Sequence, residues 1–192
     1  AETWAETNER QRTIDLAALP LDAPGTRTLR FLSIRAVDQQ GAKSPIRRVG
    51  FYGDNIPPEV FLVSPPASGF PVLVPSGLDI TWRGIDPDGV FTQEPVKYKY
   101  ILLSSTSEFP ADLAFAYPDS LRRYYANHPL GPWAGWDSTS AETTTVRYQN
   151  LTQGPIYVFC VIGFDEAGDY NPVFSFATNM TRLMIGFQGT AG

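Results

Sequence analysis

The sequence predicts an all-β protein built from tandem β-sandwiches, the first incomplete and the second carrying a small helical insertion. A β-rich run occurs twice, as Leu32–Gly41 and Phe159–Gly168. Each copy ends in Asp-x-x-Gly with a proline four residues later, and the positions of the two copies differ by 127 throughout. Seventeen prolines and sixteen glycines separate short apolar runs, as expected for many short strands joined by turns.

The first module, residues 1–52, supplies three predicted strands. They are Thr13–Leu19, Thr28–Val37 and Ile46–Tyr52. Three strands cannot close a sandwich, so their apolar face needs a cover. The missing strands could precede this segment in a longer tandem protein, or another chain could add them.

A proline-containing linker, residues 53–58, leads to the second module at 59–183, and residues 184–192 form a tail. We expect an edge strand within Pro57–Pro66 and alternating strands over Leu78–Gly84 and Val96–Leu102. Asp86-Pro87-Asp88-Gly89 predicts the turn between those two. Later strands are predicted over Thr143–Tyr148, Tyr157–Phe164 and Val173–Ala177.

The insertion covers 104–137 and contains two predicted short helices, Pro110–Phe115 and Asp119–Ala126, with Asp119 as the cap of the second. Both faces of the strand Tyr157–Phe164 are apolar, whereas a half-exposed strand is polar on one side. We therefore expect a cover on its outer face, and the insertion is the nearest apolar material.

Several motifs together resemble the fibronectin type III family. Leu151, Gly154, Tyr157, Phe159, Val161, Gly163 and Asp165 look like its E–F region, and Trp82 matches its B-strand tryptophan. The resemblance covers about 57–183 and implies that Tyr157 is the corner tyrosine; Arg30 stands at that position in the first module. Trp82 with Asp86-Pro87-Asp88-Gly89, and Trp133-x-x-Trp136, resemble bacterial extracellular variants.

Composition and motifs give little support to an enzyme. The net charge of −5 argues against nucleic acid, and no apolar run reaches the roughly 20 residues of a membrane helix. His128 and Cys160 are the single residues of their types, and no nucleophile or phosphate-loop pattern accompanies them. No signal-peptide pattern opens the sequence, and we expect any signal to lie further upstream.

Acidic residues near the module junction suggest a structural Ca²⁺ site, since Ca²⁺ takes 6–8 oxygen ligands. In this fold the linker and the B–C and F–G turns share one pole. The candidate ligands are Asp54, Asn55, Asp86, Asp88, Asp165, Glu166 and Asp169. The alternative is that these residues serve only their own turns. No other cofactor is indicated.

Aromatic residues crowd the insertion. They are Phe115, Tyr117, Tyr124, Tyr125, Trp133 and Trp136, and they could bind a sugar or a protein partner, or they could pack the insertion onto the sheet. Of these, the candidate ligand-binding residues are Tyr124, Tyr125, Trp133 and Trp136. The sequence as a whole indicates a non-catalytic spacer segment of an extracellular or cell-surface multidomain protein. The alternatives are a carbohydrate- or protein-binding adhesin-like module that uses the aromatic insertion, and an assembly subunit completed by another chain's strands.

Overall fold

The computed structural model describes residue 7 and residues 29–52, 56–87 and 93–186. The chain divides into two compact units, Ala1–Asp54 and Asn55–Gly192, and the division falls within the predicted linker. The described elements are mostly strands, with two short helices, so the predicted all-β class is confirmed.

In the first unit, β1 (Leu29–Ile34) and β2 (Arg47–Tyr52) form an antiparallel hairpin. Its connection contains the first Asp-x-x-Gly copy. Asp38 Oδ1 accepts hydrogen bonds from the backbone N–H groups of Gln40 and Ala42, and Gly41 has a φ of 84°. The second and third predicted strands of the module thus exist, in shorter form. The first, Thr13–Leu19, lies outside the described residues.

The second unit is a sandwich of two sheets. The smaller sheet has the order β3 (Glu59–Ser64), β5 (Leu78–Ile85), β8 (Thr145–Tyr148). The larger has the order β4 (Ser68–Val74), β10 (Met180–Ile185), β9 (Ile156–Phe164), β6 (Lys97–Leu103), β7 (Asp137–Ser140). All pairs are antiparallel except β4 with β10, which is parallel.

Apolar residues that alternate along these strands fill the space between the two sheets. Trp82 on β5 is 1% exposed and contacts Tyr98, Tyr100 and Phe159 across the core. The hydroxyl of Tyr157 hydrogen-bonds to the side chain and backbone of Thr152 before β9. The expected core tryptophan and corner tyrosine are therefore both confirmed.

Glycines allow a close approach at one end of this core. A Cβ on Gly163 would lie 2.8 Å from Cγ of Pro95, and one on Gly84 would lie 2.5 Å from the same atom. The ring of Pro95 thus fills the space between β5 and β9. Side chains at either glycine would push the two sheets apart.

The prediction of the last strand was wrong. Val173–Ala177 is not a strand, and the last strand, β10, runs from Met180 to Ile185, two residues into the predicted tail. Two further strands, β4 and β7, were not predicted. The Gly-Phe-Pro sequence inside β4 masks its pattern, and a proline in a strand marks an edge position, which β4 occupies.

Candidate functional site

The insertion between β6 and β7 is the most distinctive part of the second unit. It contains α1 (Ala111–Ala116) and α2 (Pro118–Ala126), each starting next to a proline: Pro110 caps α1, and Pro118 opens α2. The fixed φ of proline suits the first helical position, where its missing N–H is not needed. Asp119 is not the cap of α2; Tyr117 holds that position, and Asp119 binds Arg122 and Arg123 instead.

The insertion forms a second apolar core on the outer face of the five-stranded sheet. Ala114 of α1 and Leu121 of α2 are both 0% exposed. They belong to one cluster with the outward side chains of β9, namely Val158, Cys160, Ile162 and Phe164. The expectation that the insertion covers this face is confirmed. Strand β9 is consequently buried on both sides, between two cores.

The Trp133-x-x-Trp136 segment closes this second core. The two indole rings are 5.1 Å apart, and each lies 6.1 Å from the ring of Phe174. Trp133 adopts a φ of 63°, and its N–H donates a 2.7 Å hydrogen bond to the carbonyl of Tyr125. Such a left-handed conformation costs on the order of 1 kcal/mol, which burial of the indole offsets.

The segment before β10 belongs to the same core. The connection between the two paired strands is five residues longer in the second repeat copy than in the first. Ser33 pairs with Arg48 in the first hairpin. Cys160, which corresponds to Ser33 at the 127-residue offset, pairs with Met180 and not with residue 175. The extra residues place Phe174 against the tryptophans. Asn179 stabilises the conformation of this segment, because its side-chain oxygen accepts a hydrogen bond from the N–H of Ser175 and its side-chain NH₂ donates one to the carbonyl of Val173.

Three of the four predicted ligand-binding aromatics lie inside this core. Tyr125, Trp133 and Trp136 are 2%, 5% and 6% exposed, and only Tyr124 is half-buried. A ring that stacks on a sugar needs an open face. The structure therefore favours the packing interpretation for these three residues.

A polar cluster marks the edge of the insertion. Glu108 accepts hydrogen bonds from the Tyr124 hydroxyl and from Nε2–H of His128, the latter at 3.0 Å. The N–H of Leu130 donates to Nδ1 of His128, which fixes that tautomer. The hydrogen bonds from Tyr124 and then His128 hold the pKa of Glu108 below its usual value. These contacts tie α2 to the loop before α1.

The more exposed aromatic residues of the insertion lie in and just after α1, beside Leu113. Leu113, Phe115 and Tyr117 are 46%, 41% and 61% exposed; we call them the α1 edge. Phe115 lies 3.9 Å from the Arg182 guanidinium carbon and packs edge-on against Phe176. The sequence placed Phe115 and Tyr117 among the aromatic residues of the insertion but did not single them out as the exposed ones. The signal was available, because the small residues Ala111 and Ala114 form the buried stripe of α1, which turns the larger ones outward.

Of the predicted calcium ligands, Asp54, Asn55 and Asp88 lie outside the described residues. Asp86 and Asp165 are buried, and Glu166 and Asp169 lie nearer the surface. Oδ1 of Asp165 accepts the N–H of Asp169 at 2.8 Å, which is a turn-forming bond. Within the described ranges, no group of three or more His, Cys, Asp or Glu side chains could hold a metal ion. Calcium binding stays a prediction, which a comparison of melting temperatures in Ca²⁺ and in EDTA tests.

The two residues with catalytic potential have structural surroundings. Cys160 is fully buried, and burial raises the pKa of its thiol well above the usual value, whereas a nucleophile must be a thiolate. Both ring nitrogens of His128 are engaged in hydrogen bonds, one with the carboxylate of Glu108 and one with the backbone N–H of Leu130. Across the described residues, no helix has the length and apolar character to cross a membrane.

Comparison with known proteins supports no more than the fold. No family model matches the chain, and no curated protein matches it significantly. The fibronectin(III)-like modules of Clostridium thermocellum CbhA are 15% identical, with a TM-score of 0.39 and coverage of 84% of this chain and 64% of that one. The chicken CNTN1 FN1-FN3 domains are 14% identical, with a TM-score of 0.35 and coverage of 84% and 42%.

The chain spans less than two thirds of each of these structures. Both consist of fibronectin modules, the family that the sequence motifs resemble. At such low identity and TM-scores the likeness carries no argument about what this chain binds or does.

Proposed function

We propose that this chain is a non-catalytic structural segment of an extracellular or cell-surface multidomain protein, and that the second unit holds its neighbours at a fixed separation. The observation that carries the proposal is the placement of its ends. Glu59, where the sandwich begins, pairs with Ile85 at one end of β5. Ile185, where it ends, pairs with Val74, and the chain turns from there into Leu78 at the other end of β5.

Chain entry and exit therefore lie at opposite ends of the sandwich. Eight residues of β5 span about 25 Å at about 3.3 Å per residue. A folded unit of this kind fixes the distance between the segments attached to its two ends, whereas a flexible linker does not. Strand β9, at the centre of the larger sheet, is covered on one side by the second sheet and on the other by the insertion.

The extracellular setting rests on the sequence motifs that resemble bacterial secreted modules. The expected partners are neighbouring modules of the same polypeptide or a partner protein, with glycan as a further possibility. Nucleic acid and membrane insertion are not part of the proposal, since the chain is acidic and has no apolar run of the required length.

A replacement experiment tests the spacer. In the natural polypeptide, residues 59–185 are exchanged for an unrelated β-sandwich of equal length or for a flexible Gly-Ser segment. Small-angle X-ray scattering should show the same maximum dimension with the unrelated sandwich, and a broad distribution with the flexible segment. If the natural unit adds no length relative to a deletion of 59–185, it does not act as a spacer.

The second candidate is a protein-binding module that uses the α1 edge. The observation in its favour is that Leu113 and Tyr117 expose apolar side chains next to each other on the surface of the insertion, 46% and 61% exposed. Polar substitution of both residues should abolish binding to a protein partner and leave the melting temperature unchanged. A glycan array tests the carbohydrate alternative; binding that is lost in Tyr124→Ala would favour it over the spacer.

A further inference from the structure

Arg182 of β10 lies where the cover provided by the insertion ends. The side chains of Met180, Arg182 and Met184 share the outer face of the larger sheet, because successive residues of a strand alternate between faces. Met180 is 0% exposed in the core beneath the insertion, whereas Met184 is only partly buried. Arg182 therefore stands between the covered and the open part of this face.

The guanidinium of Arg182 is fixed in position but has no acidic partner. Its central carbon lies 3.9 Å from the ring centroid of Phe115, and its Nη1 donates a 3.1 Å hydrogen bond to the carbonyl of Gly69 in β4. Its Nε is buried without a hydrogen-bond partner, and no carboxylate of the described residues forms an ion pair with it. A charge that is partly removed from water is normally paired, because desolvation without a partner costs free energy.

Apolar side chains lie on both sides of this charge. The α1 edge is on one side. On the other side, Leu73 of β4 pairs with Met184, so their side chains lie on the same sheet face as Arg182, and Leu73 is 66% exposed. Leu73 and Met184 also line an open cavity of about 720 Å³, a volume within the range of roughly 300–1,000 Å³ that ligand sites occupy. We call the α1 edge, Arg182, Leu73 and Met184 together the Arg182 surface.

We infer that the Arg182 surface binds a protein partner through an aspartate or glutamate side chain that has apolar residues on both sides of it in sequence. The carboxylate accepts a hydrogen bond from Nη2, since Nη1 is bonded to Gly69 and Nε is covered. Charge-assisted hydrogen bonds to a guanidinium are strong, and a partly apolar setting strengthens them further. The carboxylate at the end of a chain would place apolar residues on one side of Arg182 alone.

This inference rests on the second candidate function, the protein-binding module, and names the chemistry of its partner. Charge complementarity carries it, because an apolar partner without an acid would cover the Arg182 guanidinium and leave that charge unpaired. A partner that supplies the acid satisfies the charge and buries the α1 edge together with Leu73 and Met184.

Selection from a peptide library tests the inference. Random peptides of about 12 residues, fused to a phage coat protein through their carboxyl ends so that no terminal carboxylate is free, are selected on the 192-residue chain. We expect the enriched peptides to share an aspartate or glutamate between apolar residues. For the tightest peptide, made with an amidated end, replacement of the acid by its amide should weaken binding by about 10- to 100-fold, as for the loss of a hydrogen bond to a charged group.

Substitutions in the protein locate the interaction. Arg182→Gln should weaken the acidic peptide by the same factor and leave the affinity of its amide version unchanged, and Arg182→Lys should restore only part of the loss because lysine lacks the planar fork. Arg83→Gln is the matched control: Arg83 lies 4.8 Å over the ring of Phe61 on the smaller sheet, so the same change in net charge should not affect binding. Melting temperatures show whether the variants are folded, and the change in the peptide does not depend on them.

The possible outcomes separate this inference from the function on which it rests. Enriched peptides without an acid, or an affinity that ignores both the acid and Arg182→Gln while Leu113→Ser with Tyr117→Ser abolishes binding, would leave a protein-binding module and overturn the role of the carboxylate. Failure to enrich any peptide would count against both. Self-association of the chain that Arg182→Gln abolishes would assign the surface to a second copy instead.

Discussion

Substitution of Leu121 by alanine measures how firmly the insertion is part of the module. Leu121 lies on α2, is 0% exposed and belongs to the cluster that contains Cys160 and Ile162 of β9. The change removes three carbon atoms, worth about 2.4 kcal/mol at about 0.8 kcal/mol each. The remaining cavity raises the expected loss to about 3–4 kcal/mol. For a unit of this size the melting temperature should fall by about 10 °C.

The assay is urea unfolding of the chain, followed by near-ultraviolet circular dichroism and by tryptophan fluorescence. A single transition with an unchanged slope and a lower midpoint is expected, because the insertion and β9 share one core. Leu130→Ala is the matched control: Leu130 lies on the same insertion but is 86% exposed, so its loss should change stability by less than about 0.5 kcal/mol.

The reasoning is wrong if Leu121→Ala separates the transition into two steps and leaves the midpoint of the main one unchanged. That result would mean that the insertion unfolds by itself and that the outer face of β9 is stable without it. Equal losses in Leu121→Ala and Leu130→Ala would also contradict the burial on which the magnitude depends.

Three further substitutions examine other features. Gly163→Ala places a Cβ 2.8 Å from Pro95 and should destabilise the sandwich by about 1–3 kcal/mol in chemical denaturation, whereas a neutral result would show that the sheets can separate freely. Tyr157→Phe removes the hydroxyl that is hydrogen-bonded to Thr152 and should lower the free energy of unfolding by about 1 kcal/mol, with β9 otherwise intact. An unchanged free energy of unfolding would show that this hydrogen bond does not stabilise the fold. Two side-chain hydrogen bonds lower the pKa of Glu108 in the folded protein. The ionised carboxylate of Glu108 therefore stabilises the fold at a pH above its ordinary pKa of 4.5, and this stabilisation is lost as the pH falls through the lower pKa of the folded state. Glu108→Gln should therefore reduce the dependence of the melting temperature on pH in that acidic range, and an identical pH profile would contradict this.

The sequence predicted the core of the sandwich well where alternation is strong. Trp82 and Tyr157 were placed correctly, and the two apolar sides of β9 indicated the cover that the insertion provides. These predictions succeeded because burial on one or both faces of a strand is encoded locally, in a period of two residues.

Prediction failed where tertiary contacts override local pattern. Val173–Ala177 has the apolar alternation of a strand, but Phe174 is drawn to the tryptophans of the insertion, and the chain pairs with β9 only from Met180 onward. For Trp133 and Trp136 the sequence left both packing and a binding surface open, since composition does not show which side of a ring is covered. Their burial beneath the insertion, which favours packing, depends on tertiary contacts that the local pattern does not show.

The position of the insertion also affects how the chain can fold. Strands β6 and β7 are hydrogen-bonded neighbours, yet the whole insertion lies between Leu103 and Asp137. Closing a loop of about 32 residues instead of about 4 involves three doublings of length, at about 0.6 kcal/mol each. Pairing of β6 with β7 is therefore easier once the insertion has docked on β9, because docking brings the two ends of the loop together. Substitutions that weaken this docking should slow folding as well as speed unfolding, in contrast to those at the exposed α1 edge.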